Sequence, residues 1–307
     1  MSDEWVIGID LGASKITCAL VSPENTLTAR AGMETRARDG PAAAVGRMCD
    51  SVRELLTQAP AGVRVERLGV ASPGPLDHLS GVLYEPPNLT GWRDVPLAAM
   101  LSEQLGLHVQ LEHDAKATAL AEYHLGAGRG ARNMALIVVG TGVGAGIIVD
   151  GKLYRGPTNS AGEIGHVTVD LDGPICTCGS NGCVESYSGG PAIMRAYTFA
   201  TRIPVDSAAA VERAAEQGDA IAIRVFQEAG RALGAGLATL AMLMDVDTFV
   251  MFGSVVKAGE LLLGPVRAAI PKYSYCSVSQ RVRVKICELG DDAGVLGAAL
   301  VARRRDT

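Results

Sequence analysis

His166, Cys176, Cys178 and Cys183 fall within eighteen residues of this 307-residue chain. Any fold the chain adopts must gather one imidazole and three thiols at a point or leave the thiols idle. That donor set suits a closed tetrahedral Zn²⁺ site, and Gly173, Gly179 and Gly182 allow the sharp bends it needs. The competing reading is a group of buried free thiols beside a surface His, although free thiols at this density are uncommon in a reducing compartment. Cys18, Cys49, Cys276 and Cys287 are scattered singly, mostly within strand or helix patterns, and read as core residues.

The reducing compartment is itself an expectation. The acidic start, Met1-Ser2-Asp3-Glu4, lacks the basic and apolar regions of a secretory signal, so a cytoplasmic protein is expected. The uncharged stretches 133–149 and 232–244 are glycine-broken or too short for a bilayer span. A formal net charge of -5 argues against a basic nucleic-acid face; only the tail Arg303-Arg304-Arg305 is a basic run, and it reads as a helix C-terminus facing water.

Hydrophobic residues make up 48% of the chain and charged residues 20%, a globular mix long enough for two domains. Trp5-Val6-Ile7-Gly8-Ile9 reads as a strand, followed by a Gly turn and a second strand over 16–21; residues 26–33 supply a third. Pro41 opens a helix with apolar residues at Ala44, Met48, Val52, Leu55 and Leu56. Strands over 68–71 and 109–111 follow, the latter ending at His113-Asp114 before a helix over 115–125. The second half repeats the opening plan: strands over 135–139 and 145–149 flank a Gly turn. Helical segments then fill 208–244 and 259–270, with strands over 248–252 and 282–287 and a closing helix from Ala293. This alternation predicts an α/β protein.

Asp10-Leu11-Gly12-Ala13-Ser14-Lys15 and the run from Gly140 through Thr141, Gly142, Val143 and Gly144 to Gly146 each join two strands. Glycines let a backbone approach a polyphosphate closely, and free turn N–H groups make an anion nest. The carboxylate of Asp10, at a strand end, suits a hydrated Mg²⁺. A tight hairpin explains either turn alone, whereas one in each half favours a nucleotide clamp. Glu163 and Glu185 flank the His/Cys cluster, where positioned carboxylates accept hydrogen bonds from vicinal hydroxyls.

Taken with Ser72-Pro73-Gly74-Pro75-Leu76-Asp77, Asn88-Leu89-Thr90-Gly91-Trp92, Glu112-His113-Asp114-Ala115 and Glu163-Ile164-Gly165-His166, these motifs resemble, in order, the ROK family of repressors, open reading frames and kinases. The resemblance runs from Val6 to Val301 and is strongest to bacterial glucokinases of that family. It implies an actin/hexokinase-like (ribonuclease H-like) two-lobed ATPase fold, with ATP and sugar between a small lobe over 1–114, onto which a helix of about 292–307 packs back, and a large lobe over 115–291. It implies phosphoryl transfer from Mg²⁺-ATP to a hexose, glucose first, with Asp114 as general base. Asp114 also suits an N-cap for the following helix. By the same resemblance Gly74, Asn88, His113, Glu163, His166 and Glu185 contact the sugar, and His166 also holds a structural Zn²⁺ with Cys176, Cys178 and Cys183. Asp10, Gly12, Ser14, Lys15, Gly140, Thr141, Gly142 and Gly144 match the phosphate loops, and Gly253 opens the adenosine segment. A homo-oligomer, dimer or tetramer, is expected on the same ground.

Some positions depart from the family pattern. His113 stands where an Asn usually precedes the base, which keeps fructose, mannose, allose and N-acetylmannosamine open as substrates. Lys116 replaces another Asn, and residues two apart on a helix do not face each other, so no direct ion pair with Asp114 is expected. Phe252 replaces a Gly before the adenosine segment. A sugar-binding protein without catalysis is the remaining reading; a regulator is not expected, because the first phosphate strand begins at Trp5 and leaves no room for a helix-turn-helix domain.

Overall fold

A computed structural model describes residues 4–303. Met1-Ser2-Asp3 and Arg304-Arg305, read above as an acidic start and part of a basic tail, lie outside the described residues. The chain forms two compact units.

The first unit begins with β1 (Val6–Leu11), β2 (Lys15–Val21), β3 (Leu27–Glu34), α1 (Pro41–Thr57) and β4 (Arg67–Ser72). A small hairpin, β5 (Leu76–Asp77) and β6 (Val82–Leu83), precedes α2 (Leu97–Leu105), β7 (His108–His113) and α3 (Asp114–Leu125). The five long strands form one sheet in the order β3-β2-β1-β4-β7, antiparallel through β3, β2 and β1 and parallel through β1, β4 and β7. β1 and β4 are central and apolar on both faces, while β3 alternates between half-buried and exposed residues at the edge.

The second unit holds β8 (Met134–Val139), β9 (Val143–Val149), β10 (Lys152–Tyr154), the short α4 (Glu185–Ser188), α5 (Gly190–Thr201), α6 (Ala208–Glu216) and α7 (Ala220–Met244). β11 (Thr248–Phe252), α8 (Glu260–Ala269), α9 (Cys276–Ser279) and β12 (Arg283–Ile286) complete it. Its sheet runs β10-β9-β8-β11-β12, again three antiparallel strands continued by two parallel ones. The repeated strand–turn–strand opening is thus the start of two sheets of one topology.

The chain then returns to the first unit with α10 (Ala293–Arg303). This helix crosses β1 and β4 at close range, because a Cβ on Gly8 or Gly69 would collide with the α10 backbone at Val295 or Ala298. Residues 115–122 of α3 are buried all round, which explains the absence of an amphipathic pattern there. Three separate pieces, Met1–Gly126, Arg155–Asn159 and the C-terminal segment from Leu289, make up this unit. It therefore extends past Asp114, where the sequence placed a lobe boundary, because α3 packs against α10. Arg303 also differs from expectation. Rather than facing water, it is buried and donates to the carbonyls of Ser22, Val21 and Glu4 and to Asn25.

Candidate active site

In the first unit, the turn after β1 is closed by the Gly12 N–H donating to the Lys15 carbonyl at 2.9 Å, while Thr35 Oγ1 donates to the Gly12 carbonyl at 2.6 Å. Ser14 and Lys15 project into solvent. Asp10, one strand residue earlier, faces the start of α10, where a Cβ on Gly294 would stand 2.5 Å from its Oδ2. Burial pushes the Asp10 carboxyl up to about 6, the negative charge of Asp114 adds to this, and Lys15 and Arg30 oppose it. Two carboxylates that feel each other in a recess are a fitting seat for a divalent cation.

Asp114 stands at the β7–α3 junction, and its Oδ1 accepts from the Ala115 N–H at 2.6 Å and meets His113 Nδ1 at 3.0 Å. Gly74 leaves room for that imidazole, since a Cβ there would lie 2.7 Å from His113 Cδ2. Asn88 is exposed in a turn anchored by buried Leu89 and Trp92, whose Nε1–H donates to the Ala37 carbonyl at 3.1 Å. Lys116 is buried, and its Nζ donates to the Asn159 carbonyl and, at 2.9 Å, to Asn159 Oδ1. Glu112, on the other side of Asp114, is fully buried and pairs with Arg155 at 2.7 Å.

In the second unit, residues 140–142 form the turn between β8 and β9, and Gly144 lies inside β9 opposite Val138. Gly140 accepts from the Gly190 N–H at 2.7 Å, and Val143 N–H donates to Glu185 Oε2 at 2.8 Å. Gly142 is required by that contact, because a Cβ there would stand 2.6 Å from the same carboxylate oxygen. The turn and Glu185, assigned to separate ligands from sequence, are therefore bonded to each other. Gly253, with φ of 110°, lets the chain turn off β11 against the Val139 backbone. A recess of about 260 Å³ opens beside the turn, lined by Gly140, Thr141, Met194, Ser207, Glu212 and Ser254 among others. Burial, then the charge of Glu216, raises the Glu212 carboxyl above its ordinary range. Met194, Ser207 and Glu212 went unnoticed in the sequence, for they sit on α5, at the N-cap of α6 and within α6 without a motif around them. A larger recess of about 480 Å³ lies along β7 near His78 and His108 and includes none of the motif residues.

Glu163 immediately precedes a one-turn 3₁₀ helix, Ile164–His166, whose Ile164 and Gly165 are buried. The donor atoms of His166, Cys176, Cys178 and Cys183 all lie within 4.8 Å of one another. Cys178 Sγ and Cys183 Sγ are 3.7 Å apart and His166 Nδ1 and Cys176 Sγ 3.6 Å apart. Tetrahedral Zn²⁺ with bonds of about 2.0–2.3 Å places its ligand atoms about 3.5–3.8 Å apart, so the four residues fit the ion and no thiol pair is at disulfide distance. The knuckle is closed by Cys176 N–H to the Ser180 carbonyl at 2.7 Å and by the Tyr187 hydroxyl donating to Asp170 at 2.7 Å. The Ser180 backbone N–H holds the Cys178 thiol below its usual range, whereas burial pushes Cys183 up to about 12.

Two similar sheets, each opening on a glycine turn, and an acid at a strand–helix junction define the actin/hexokinase-like class of nucleotide-dependent phosphotransferase folds. The chain belongs to the ROK family, whose model matches residues 6–305. It is 32% identical to a glucokinase of Halalkalibacterium halodurans over 100% of this chain and 97% of that protein. A ROK hexokinase structure from Thermus thermophilus superposes with a TM-score of 0.86 at 35% identity, over 97% of each chain. A ROK glucokinase from Streptomyces griseus, solved with glucose and AMPPNP, gives 0.76 at 34% identity over 97% of this chain and 99% of that one. No helix among the described residues is long and apolar enough to cross a membrane.

Proposed function

We propose that this protein transfers the terminal phosphoryl group of ATP to a hexose, with glucose as the first substrate and Asp114 as general base. What supports the reading most is the Asp114 carboxylate itself. It stands at the end of β7, within electrostatic reach of Asp10, in a chain similar end to end to a glucokinase. A sugar hydroxyl is a poor nucleophile at neutral pH, and a carboxylate within hydrogen-bond reach supplies the missing basicity. As the sugar oxygen bonds to phosphorus, its proton passes to Asp114 and ADP leaves with the electrons of the broken P–O bond.

Around that step the other residues bind and orient. Asp10 would hold the hydrated Mg²⁺ of Mg²⁺-ATP, which supplies charge neutralisation to the phosphates when bound. The turn at 12–15 in the first unit and the turn at 140–142 in the second are each a candidate phosphate loop, and the recess beside Thr141 and Ser254 would take the nucleoside. Zn²⁺ held by His166, Cys176, Cys178 and Cys183 would brace the loop, His166 ligating through Nδ1, the nitrogen near Cys176. In the second unit Glu163 and Glu185 would accept from sugar hydroxyls beside His166, and in the first unit Gly74, Asn88 and His113 are the candidate sugar contacts.

A coupled ADP-release assay over a hexose panel with Mg²⁺-ATP, run beside Asp114→Asn, tests this. Glucose-dependent ADP release that Asp114→Asn lowers by about 10²–10⁴-fold is the expected result. No ADP release with any hexose sinks the enzyme reading.

A further inference from the structure

The carboxylate of Asp114 is not symmetrically placed. Its Oδ1 accepts from the Ala115 N–H at 2.6 Å and stands 3.0 Å from His113 Nδ1. With a backbone amide and an imidazole nitrogen both at Oδ1, Oδ2 is the less encumbered oxygen and the one left to accept a proton. Since an ionised carboxylate only accepts, the proton of the neutral imidazole belongs on Nδ1. The ring is also held in place. It lies against Gly74, where a Cβ would stand 2.7 Å from Cδ2 and 3.1 Å from Nε2. Of the neighbouring charges, Glu112 pairs with Arg155, Lys116 donates to Asn159, and Asp10 repels the Asp114 charge. Yet the pair stays open to a substrate, with the His113 side chain 30% and the Asp114 side chain 44% exposed.

We propose that His113 is the positioning residue of the general base, its Nδ1–H fixing Oδ1 so that Oδ2 alone meets the reacting hydroxyl. This rests on the reading of Asp114 as the base. The proton of the sugar hydroxyl goes to Oδ2 as the O–P bond forms and the bond to the leaving ADP breaks; the proton on His113 stays where it is. Without the imidazole, the Asp114 side chain keeps only the Ala115 N–H and turns about its terminal bond, whose torsional preference is broad. An acceptor misplaced by about 1 Å costs about 100-fold in turnover. The departure from Asn at this position therefore keeps a donor at the same place along the side chain, because Asn Nδ2 and His Nδ1 are both δ atoms.

The test uses the full chain and three variants, with steady-state kinetics in glucose and Mg²⁺-ATP and thermal unfolding. His113→Phe keeps a ring against Gly74 but removes the donor, and His113→Asn keeps a donor. His113→Phe should lower kcat by about 100-fold with the KM for ATP within about threefold, any rise in the KM for sugar reporting its separate sugar contact, and His113→Asn should recover most of the loss in kcat. A purely structural role would move stability and KM together and show no such recovery. Wild-type kcat in His113→Phe, or no recovery in His113→Asn, overturns the proposal. If His113→Phe lowers the melting temperature, His113→Ala replaces it in the same comparison with His113→Asn. Asp114→Asn separates the two levels: a loss there with none in His113→Phe removes only the role of His113, whereas full turnover in Asp114→Asn removes the base reading beneath it.

Discussion

Glu112 and Arg155 pair at 2.7 Å across 43 positions of sequence, with the carboxylate fully buried at the end of β7. Removing the guanidinium strands a desolvated negative charge next to the strand end that carries Asp114. Arg155→Met should therefore destabilise the protein by about 3–5 kcal/mol in denaturant titrations, and adding Glu112→Gln should restore part of it. An Arg155→Met protein as stable as wild type would show that the pair contributes nothing.

The Asp10 carboxyl is pushed up to about 6, above the ordinary aspartate value, because burial and then Asp114 disfavour its charge. The folded state therefore holds a proton there that the unfolded state has lost. That contribution is favourable at low pH and falls as pH rises from about 4 to about 6, by about 3 kcal/mol in order of magnitude. Asp10→Asn should gain stability over wild type as pH rises through that window, hold the gain at pH 7, and lose Mg²⁺-ATP-dependent turnover. Melting curves of the two proteins between pH 4 and 8 decide it. A difference that does not change with pH contradicts the assignment.

Zinc is expected at one equivalent per chain by metal analysis, and Cys178→Ala should release it. Since the ion would close the loop over 166–183, its loss should lower the melting temperature by at least about 5 °C and raise the KM for sugar more than that for ATP. An unchanged melting temperature counts against a structural ion.

Gly142→Ala places a methyl group 2.6 Å from Glu185 Oε2, so either the carboxylate leaves the Val143 N–H or the turn shifts. Because one contact joins the turn to Glu185, kcat/KM should fall for both substrates, by about 10-fold. A defect confined to ATP would place Glu185 outside the sugar site.

Much of the fold was legible because the central strands are continuous apolar runs closed by glycine turns; β11 over Thr248–Phe252 begins and ends where its sequence pattern does. α5 was missed although Pro191 opens it and Ala192, Ile193 and Tyr197 are its buried face. α2 was missed as well, with Leu97 and Leu101 inward and Gly106 in the left-handed region at its end. Gly144 was read as turn because glycine obscures a strand register that only its partner Val138 defines. The His/Cys cluster could be read because its ligands are close in sequence. Arg155 and Asn159 could not, since each gains its meaning from a partner on β7 or α3 tens of residues away, which no periodicity encodes.

α3 gathers the first unit through two buried polar side chains: Lys116 reaches Asn159, and Glu122 accepts from the Leu289 N–H at 2.8 Å. The amino-terminal 126 residues are consequently not a module that can be cloned alone. A fragment ending there would leave β1 and β4 uncovered and strand a lysine and two acids inside α3 and β7. A split version of this protein has to be reconstituted from pieces that carry 155–159 and the closing helix along with it.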